Sequence, residues 1–95
     1  MVAYQLQFLK SAEKEWRKLA PDLKTQFRRK LAERLQNPRV PSAALCGMPD
    51  CYKIKLQDAG YRLVYRVENN IVFVTVIAIG KRDKNKVYEA AQGRL

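Results

Sequence analysis

Residues 51–67 read CYKIKLQDAGYRLVYRV, two runs of alternating apolar and cationic residues on either side of a short polar turn. Alternation with a period of two is the mark of strands with one buried face. Tyr52, Ile54 and Leu56 share a face in the first run, as do Tyr61, Leu63, Tyr65 and Val67 in the second. For both sets to enter one core, the loop between them must hold an even number of residues: two (Ala59, Gly60) or four (Asp58 to Tyr61). Either register is expected to set Lys53 opposite Arg66 and Gln57 opposite Arg62, with Lys55 between. The other face then carries Lys53, Lys55, Arg62 and Arg66, with only Glu68 at its margin. Like charges directly across a sheet destabilise it by roughly 0.2–1 kcal/mol per pair. One lysine can splay into water along its own stem. Four cations on one face point to a bound anion, because phosphate is held by arginine forks and lysine point charges that converge on it.

Upstream of the hairpin, Tyr4, Leu6 and Phe8 alternate with Gln5 and Gln7, which predicts a half-buried strand. Ser11 stands where a helix N-cap is expected, and Ala12, Trp16 and Leu19 share a face of the helix that follows. Pro21 and Asp22 open a second helix with a stripe of Leu23, Phe27, Leu31 and Leu35. Its remaining faces carry Lys24, Arg28, Arg29, Lys30 and Arg34. The stretch from Gln36 to Asp50, punctuated by Pro38, Pro41, Gly47 and Pro49, reads as an irregular connector inside one domain. Downstream, Asn69 and Asn70 suit a two-residue turn, and residues 71–79 (IVFVTVIAI) are apolar on both faces, as in a central strand. A polar turn after Gly80 leads to a short C-terminal helix, whose last turn Gly93 should leave loosely held. The expected order is βααβββα in a single domain over residues 1–95, an α+β fold.

The whole chain is 95 residues with 19 Lys plus Arg, 9 Asp plus Glu and a formal charge of +10. Residues 1–50 hold ten cations against five acids and residues 51–95 nine against four, so the excess is spread through the fold. Such a field favours polyanions, nucleic acid first. Histidine is absent, which removes the commonest general acid–base and every Ser-His or Cys-His nucleophile pair. Cys46 and Cys51 make no disulfide framework and, without histidine, no credible metal site. No secretory signal is legible at the N-terminus, and the longest apolar run is too short to span a bilayer. These features predict a cytoplasmic protein without metal or cofactor. Lys81 and Arg82 come immediately after the apolar strand, where loops display functional groups, and Tyr88 on the last helix is able to stack on a base.

The segments EWRKL, GMPDCYKIKL, GYRLVY and GKRDKNKVYEAA resemble the RelE toxins of bacterial toxin–antitoxin pairs, over Tyr4 to about Ala91. The resemblance implies a compact, mostly antiparallel sheet packed by two N-terminal helices, with a short C-terminal helix. It also implies an endoribonuclease that cuts messenger RNA in the ribosomal A site without metal and is held inactive by a RelB-like antitoxin. Carried onto this chain, the catalytic cluster would be Lys53, Lys55, Arg62, Arg82 and Tyr88. Cleavage by 2′-OH attack needs a base, and among cations a lysine is the best one available, since like charges favour the neutral amine. Lys55 takes that role, with Lys53 holding the phosphate, Arg62 the developing charge, Arg82 assisting the leaving oxygen and Tyr88 stacking on a base. Lys24, Arg28, Arg29, Lys30, Arg66 and Lys81 are the expected contacts to RNA and ribosome. Cys46 stands where similar chains carry a basic residue. A ParE-like poison of DNA gyrase and a non-catalytic nucleic-acid or antitoxin-binding module are the alternatives.

Overall fold

A computed structural model of the chain describes residues 4–56, 58–68, 72–81 and 86–94. The elements run β1 (Gln5–Phe8), α1 (Lys10–Arg17), α2 (Pro21–Gln36), a 3₁₀ turn (Pro41–Ala43), β2 (Cys51–Leu56), β3 (Tyr61–Glu68), β4 (Phe73–Lys81) and α3 (Lys86–Arg94). This is the expected βααβββα order. The four strands form one sheet in the order β1-β4-β3-β2. β2, β3 and β4 are antiparallel neighbours, and β1 joins parallel to β4, from Gln5 against Phe73 to Phe8 against Val76. No helix among the described residues is long and apolar enough to cross a membrane.

The sheet is covered on both faces, which is why β4 reads as continuously apolar. On one face the stripe of α2 (Leu23, Phe27, Leu31) and Ala12 of α1 pack over Ile54, Leu63, Tyr65, Val74 and Val76. Trp16 stands between Phe8 and Phe27, with ring centroids 5.5 and 6.4 Å away. On the other face Val87 and Ala91 of α3 close a smaller cluster with Cys51, Val64, Ile77 and Ala78. A bulge in the β3–β4 ladder after Val64 lets both Ile77 and Ala78 point to this second cluster.

Four sequence expectations are corrected. Ser11 does not cap α1: Leu9 is the N-cap residue, its N–H is tied to Val76 O at 3.0 Å, and its carbonyl accepts from Glu13 N at 2.8 Å. The strand runs straight into the helix and leaves no residue over for a serine cap. The hairpin register is also different. The even loop parity holds, but the four loop residues are those between Leu56 and Tyr61, not Asp58 to Tyr61. Gly60, at φ +70°, donates to Leu56 O at 2.8 Å and closes the turn one residue earlier. Lys55 therefore lies opposite Arg62, Lys53 opposite Val64 and Cys51 opposite Arg66. The apolar strand spans Phe73–Lys81 and not 71–79, so Lys81 is its last residue. Finally, the end of α3 is firmly tied: Arg94 is bound to Glu15 and to the Ile77 carbonyl. The expected Asn69–Asn70 turn lies outside the described residues.

The connector is more ordered than its prolines suggest. Ala44 bridges Tyr52, and Leu45 N donates to Cys51 O at 3.0 Å, so the start of β2 has a partner on its outer edge. Further along that edge, Arg34 of α2 takes over. Its Nη1 donates to Lys53 O at 3.1 Å and to Tyr65 Oη at 2.9 Å, and Tyr65 Oη donates to Pro38 O at 2.7 Å. Both cysteines are free thiols: Cys46 is exposed and Cys51 buried, where burial pushes the thiol up from its ordinary pKa.

Candidate active site

Cross-strand partners share a face of a sheet, so the corrected register builds the site directly. Lys55, Arg62 and Gly80 form one row across β2, β3 and β4, and Lys53, Val64 and Ala78 form the next. Both rows lie on the face covered by α3, since Val64 and Ala78 pack against Val87 and Ala91. α3 thus lies on the same face as the cations and presents Tyr88 to Arg62. Arg62 Nη1 donates to Tyr88 Oη at 3.2 Å, and its Cζ lies 5.9 Å from the centre of the Tyr88 ring. Lys55 is exposed, whereas Lys53, Arg62 and Tyr88 are half-buried. Lys53 and Arg62 make no ion pair with any described residue. Lys53, Lys55 and Arg62 therefore share this face and Tyr88 meets Arg62, with Lys55 nearer Arg62 than the sequence register had it. Lys81 is exposed at the end of β4, opposite Tyr61 and one position on from the Gly80 row. Arg82 lies outside the described residues.

Arg66 belongs to a different environment. It is four residues along β3 from Arg62, on the order of 13 Å at strand rise. Its Nη2 donates to Glu68 Oε1 at 3.1 Å, while its Nε is buried without a partner among the described residues. Glu68 Oε2 also accepts from the Thr75 hydroxyl at 2.6 Å and from Gln7 Nε2 at 3.2 Å. The Thr75 hydrogen bond, with Arg66 in support, holds the Glu68 carboxyl below its ordinary pKa against the opposing effect of burial. The structure brings Arg66 to this carboxylate and not to the Lys55–Arg62 row.

The cations of α2 divide in two. Arg28 is stacked over the Trp16 ring, Cζ 5.8 Å from its centre, beside exposed Arg29 and half-buried Lys24. Lys30 faces the β2 edge and lines two adjoining open cavities. One, of about 340 Å³, is shared with Gln26, Lys55, Leu56 and Asp58. The other, of about 280 Å³, is shared with Arg34, Ser42, Lys53 and Lys55. Lys30 thereby connects the helix to the two strand lysines, a juxtaposition that only the packing of α2 on the edge strand creates. Sequence reasoning left three further residues without a role: Arg34, Glu15 and Arg94. Their partners are largely backbone groups on strand edges, for which no sequence pattern exists.

A histidine-free basic α+β domain with this cationic sheet face matches a known kind of protein. A family model described as the ParE toxin of type II toxin-antitoxin system, parDE, matches residues 6–86. The fold and site thus define a toxin of the type II class. The mRNA interferase toxin RelE of Escherichia coli (strain K12) is 50% identical over 94 residues, 99% of each chain. The solved structure of a mutant of E. coli toxin RelE in the free state aligns over 99% of both chains with a TM-score of 0.91 at 49% identity. The intact E. coli RelBE toxin–antitoxin complex contains a chain that aligns at 0.83 and 51% identity, covering 86% of this chain and 100% of that one. The chain belongs to the RelE family of toxins.

Proposed function

We propose that the chain is an mRNA interferase that cleaves messenger RNA in the ribosomal A site and is neutralised by a RelB-like antitoxin. The observation that carries this reading is the Lys55–Arg62 pair, directly opposed on a half-open face and flanked by Tyr88 on Arg62. The interferase activity of the 50% identical relative and the antitoxin complex of the 51% identical structure support it. In the scheme, the Lys55 amine takes the proton of the ribose 2′-OH and the 2′-oxygen attacks the adjacent phosphorus. Lys53 and Arg62 face the charge that gathers on the non-bridging oxygens. The P–O5′ bond breaks, the 5′-oxygen takes a proton from water with the Arg82 charge assisting, and a 2′,3′-cyclic phosphate and a 5′-hydroxyl remain. Tyr88, its hydroxyl on Arg62, offers its ring to a base beside the reacting phosphate. Every other role is filled by a side chain, and the scheme calls for no cofactor.

This is a modest acid–base set, so substrate placement must come from elsewhere. Ribosome-held messenger supplies it, with Lys24, Arg28, Arg29, Lys30, Arg66 and Lys81 as contacts to RNA and ribosome and the cytoplasm as the place of action. Primer extension on a defined messenger, with and without programmed ribosomes, tests the reading. Cuts confined to the A-site codon, present only with ribosomes and lost in Lys55→Ala, are expected. Cuts on naked RNA would make the chain a general ribonuclease. The matching family model is described as a ParE toxin, so a DNA gyrase supercoiling assay is run alongside. Inhibition there without messenger cleavage would replace the interferase reading.

A further inference from the structure

β1 leaves the sheet early. Its last bond to β4 is Leu9 N to Val76 O, yet β4 continues to Lys81, and no described strand pairs with it on that side. An open edge presents backbone donors and acceptors that need partners. Here two side chains provide them. Glu15 Oε1 accepts from Ile79 N at 3.0 Å, and Arg94 Nη1 donates to Ile77 O at 2.9 Å. The same two side chains grip each other in a fork, Nη1 to Oε1 at 2.9 Å and Nη2 to Oε2 at 3.1 Å. Both are partly buried, with 31% and 25% of their side chains exposed, so water screens this pair less than a surface one. The Glu15 carboxylate raises the Arg94 pKa above its ordinary value, which fixes the charge.

We infer that Glu15 and Arg94 are a positioning pair that sets α3 on β4 and thereby holds Tyr88 against Arg62. The inference rests on the proposed role of Tyr88. The nine residues of α3 are too few for an isolated helix to persist in water. Its buried side chains are the small Val87 and Ala91, which fix neither its rotation nor its position along the strand. Arg94 lies six residues from Tyr88, about 9 Å along the helix axis. A fork at that distance, bonded to the backbone of the strand beneath, fixes both. Letting it go allows the Tyr88 ring to move by more than the tolerance of in-line attack.

The test compares kcat and KM for cleavage by wild type, Arg94→Ala, Arg94→Lys, Tyr88→Ala and the double variant Arg94→Ala/Tyr88→Ala on programmed ribosomes. Arg94→Ala should lower kcat on the order of tenfold with KM little changed, and Arg94→Lys should recover part of it. In the Tyr88→Ala background Arg94→Ala should cost nothing further, because the two act through one group. Equal losses in both backgrounds, or an unchanged kcat in Arg94→Ala, would overturn the inference. Amide exchange of residues 88–91 in the same purified proteins needs no catalysis. Faster exchange in Arg94→Ala upholds the docking role even if the wild type cleaves nothing, an outcome that would sink the reading of the site instead. Unchanged exchange rejects the docking role.

Discussion

Tyr65 shows how much one hydroxyl can hold. Its ring stacks on Tyr52 with centroids 5.7 Å apart, its oxygen accepts from Arg34 and donates to the Pro38 carbonyl, and the residue is fully buried. Burial raises its phenolic pKa, so it stays a donor across the working range. Tyr65→Phe should lower unfolding stability by about 1–3 kcal/mol in urea titrations, because the buried Pro38 carbonyl loses its donor and Arg34 keeps only the Lys53 carbonyl. Glu68 gives a dependence on pH. Its carboxylate is favoured by folding, so its stabilising contribution is complete above the ordinary carboxylate range and drains away as pH falls through the lowered folded value. Thr75→Val removes the largest cause, and the acid limb of the stability profile should move to higher pH. At the active face, Tyr88→Phe keeps the ring but loses the hydrogen bond from Arg62. It should retain more cleavage than Tyr88→Ala if stacking is the main contribution of the residue.

Among the elements, α2 is the one with two duties. Its apolar stripe covers the sheet while Lys30 joins the edge cavities beside Lys53 and Lys55 and Arg29 faces water. If Arg29 and Lys30 meet phosphates, Arg29→Gln with Lys30→Gln should weaken ribosome binding at low salt. The log–log salt slope should become shallower by about 0.7–0.9 per lost contact. Centrifugation of the toxin with ribosomes across a salt series measures it, and an unchanged slope rejects the contact. The helix stripe was legible because Leu23, Phe27, Leu31 and Leu35 repeat at helical spacing, and the hairpin was legible because its alternation runs through both strands. The register was not, because both readings satisfied the same parity and only the left-handed turn at Gly60 decides between loops of equal length. Ser11 misled for a related reason: the strand that ends at Phe8 is tied into the sheet until Leu9, and a cap needs a residue to spare. Arg34, Glu15 and Arg94 were silent because they answer to carbonyls and amides of strand edges, which exist only once the sheet has formed.

For the whole molecule, stability rests on two cores with the sheet between them. Phe27 is wholly buried in the larger one, and Phe27→Ala should cost about 3–5 kcal/mol, a large share of what a domain of this size has. Thermal or urea unfolding followed by circular dichroism would show it. A charge of +10 on so small a body makes association with polyanions fast and salt-sensitive, and makes an acidic partner an effective antagonist. The strand order has its own outcome. β1, made before β4, finds its neighbour there, with Gln7 lying beside Thr75, and Arg94 reaches back to Glu15. Synthesis runs from the N-terminus, so the sheet has no completed centre while residues 73–81 are still inside the exit tunnel. A nascent chain arrested there should be protease-sensitive and inert.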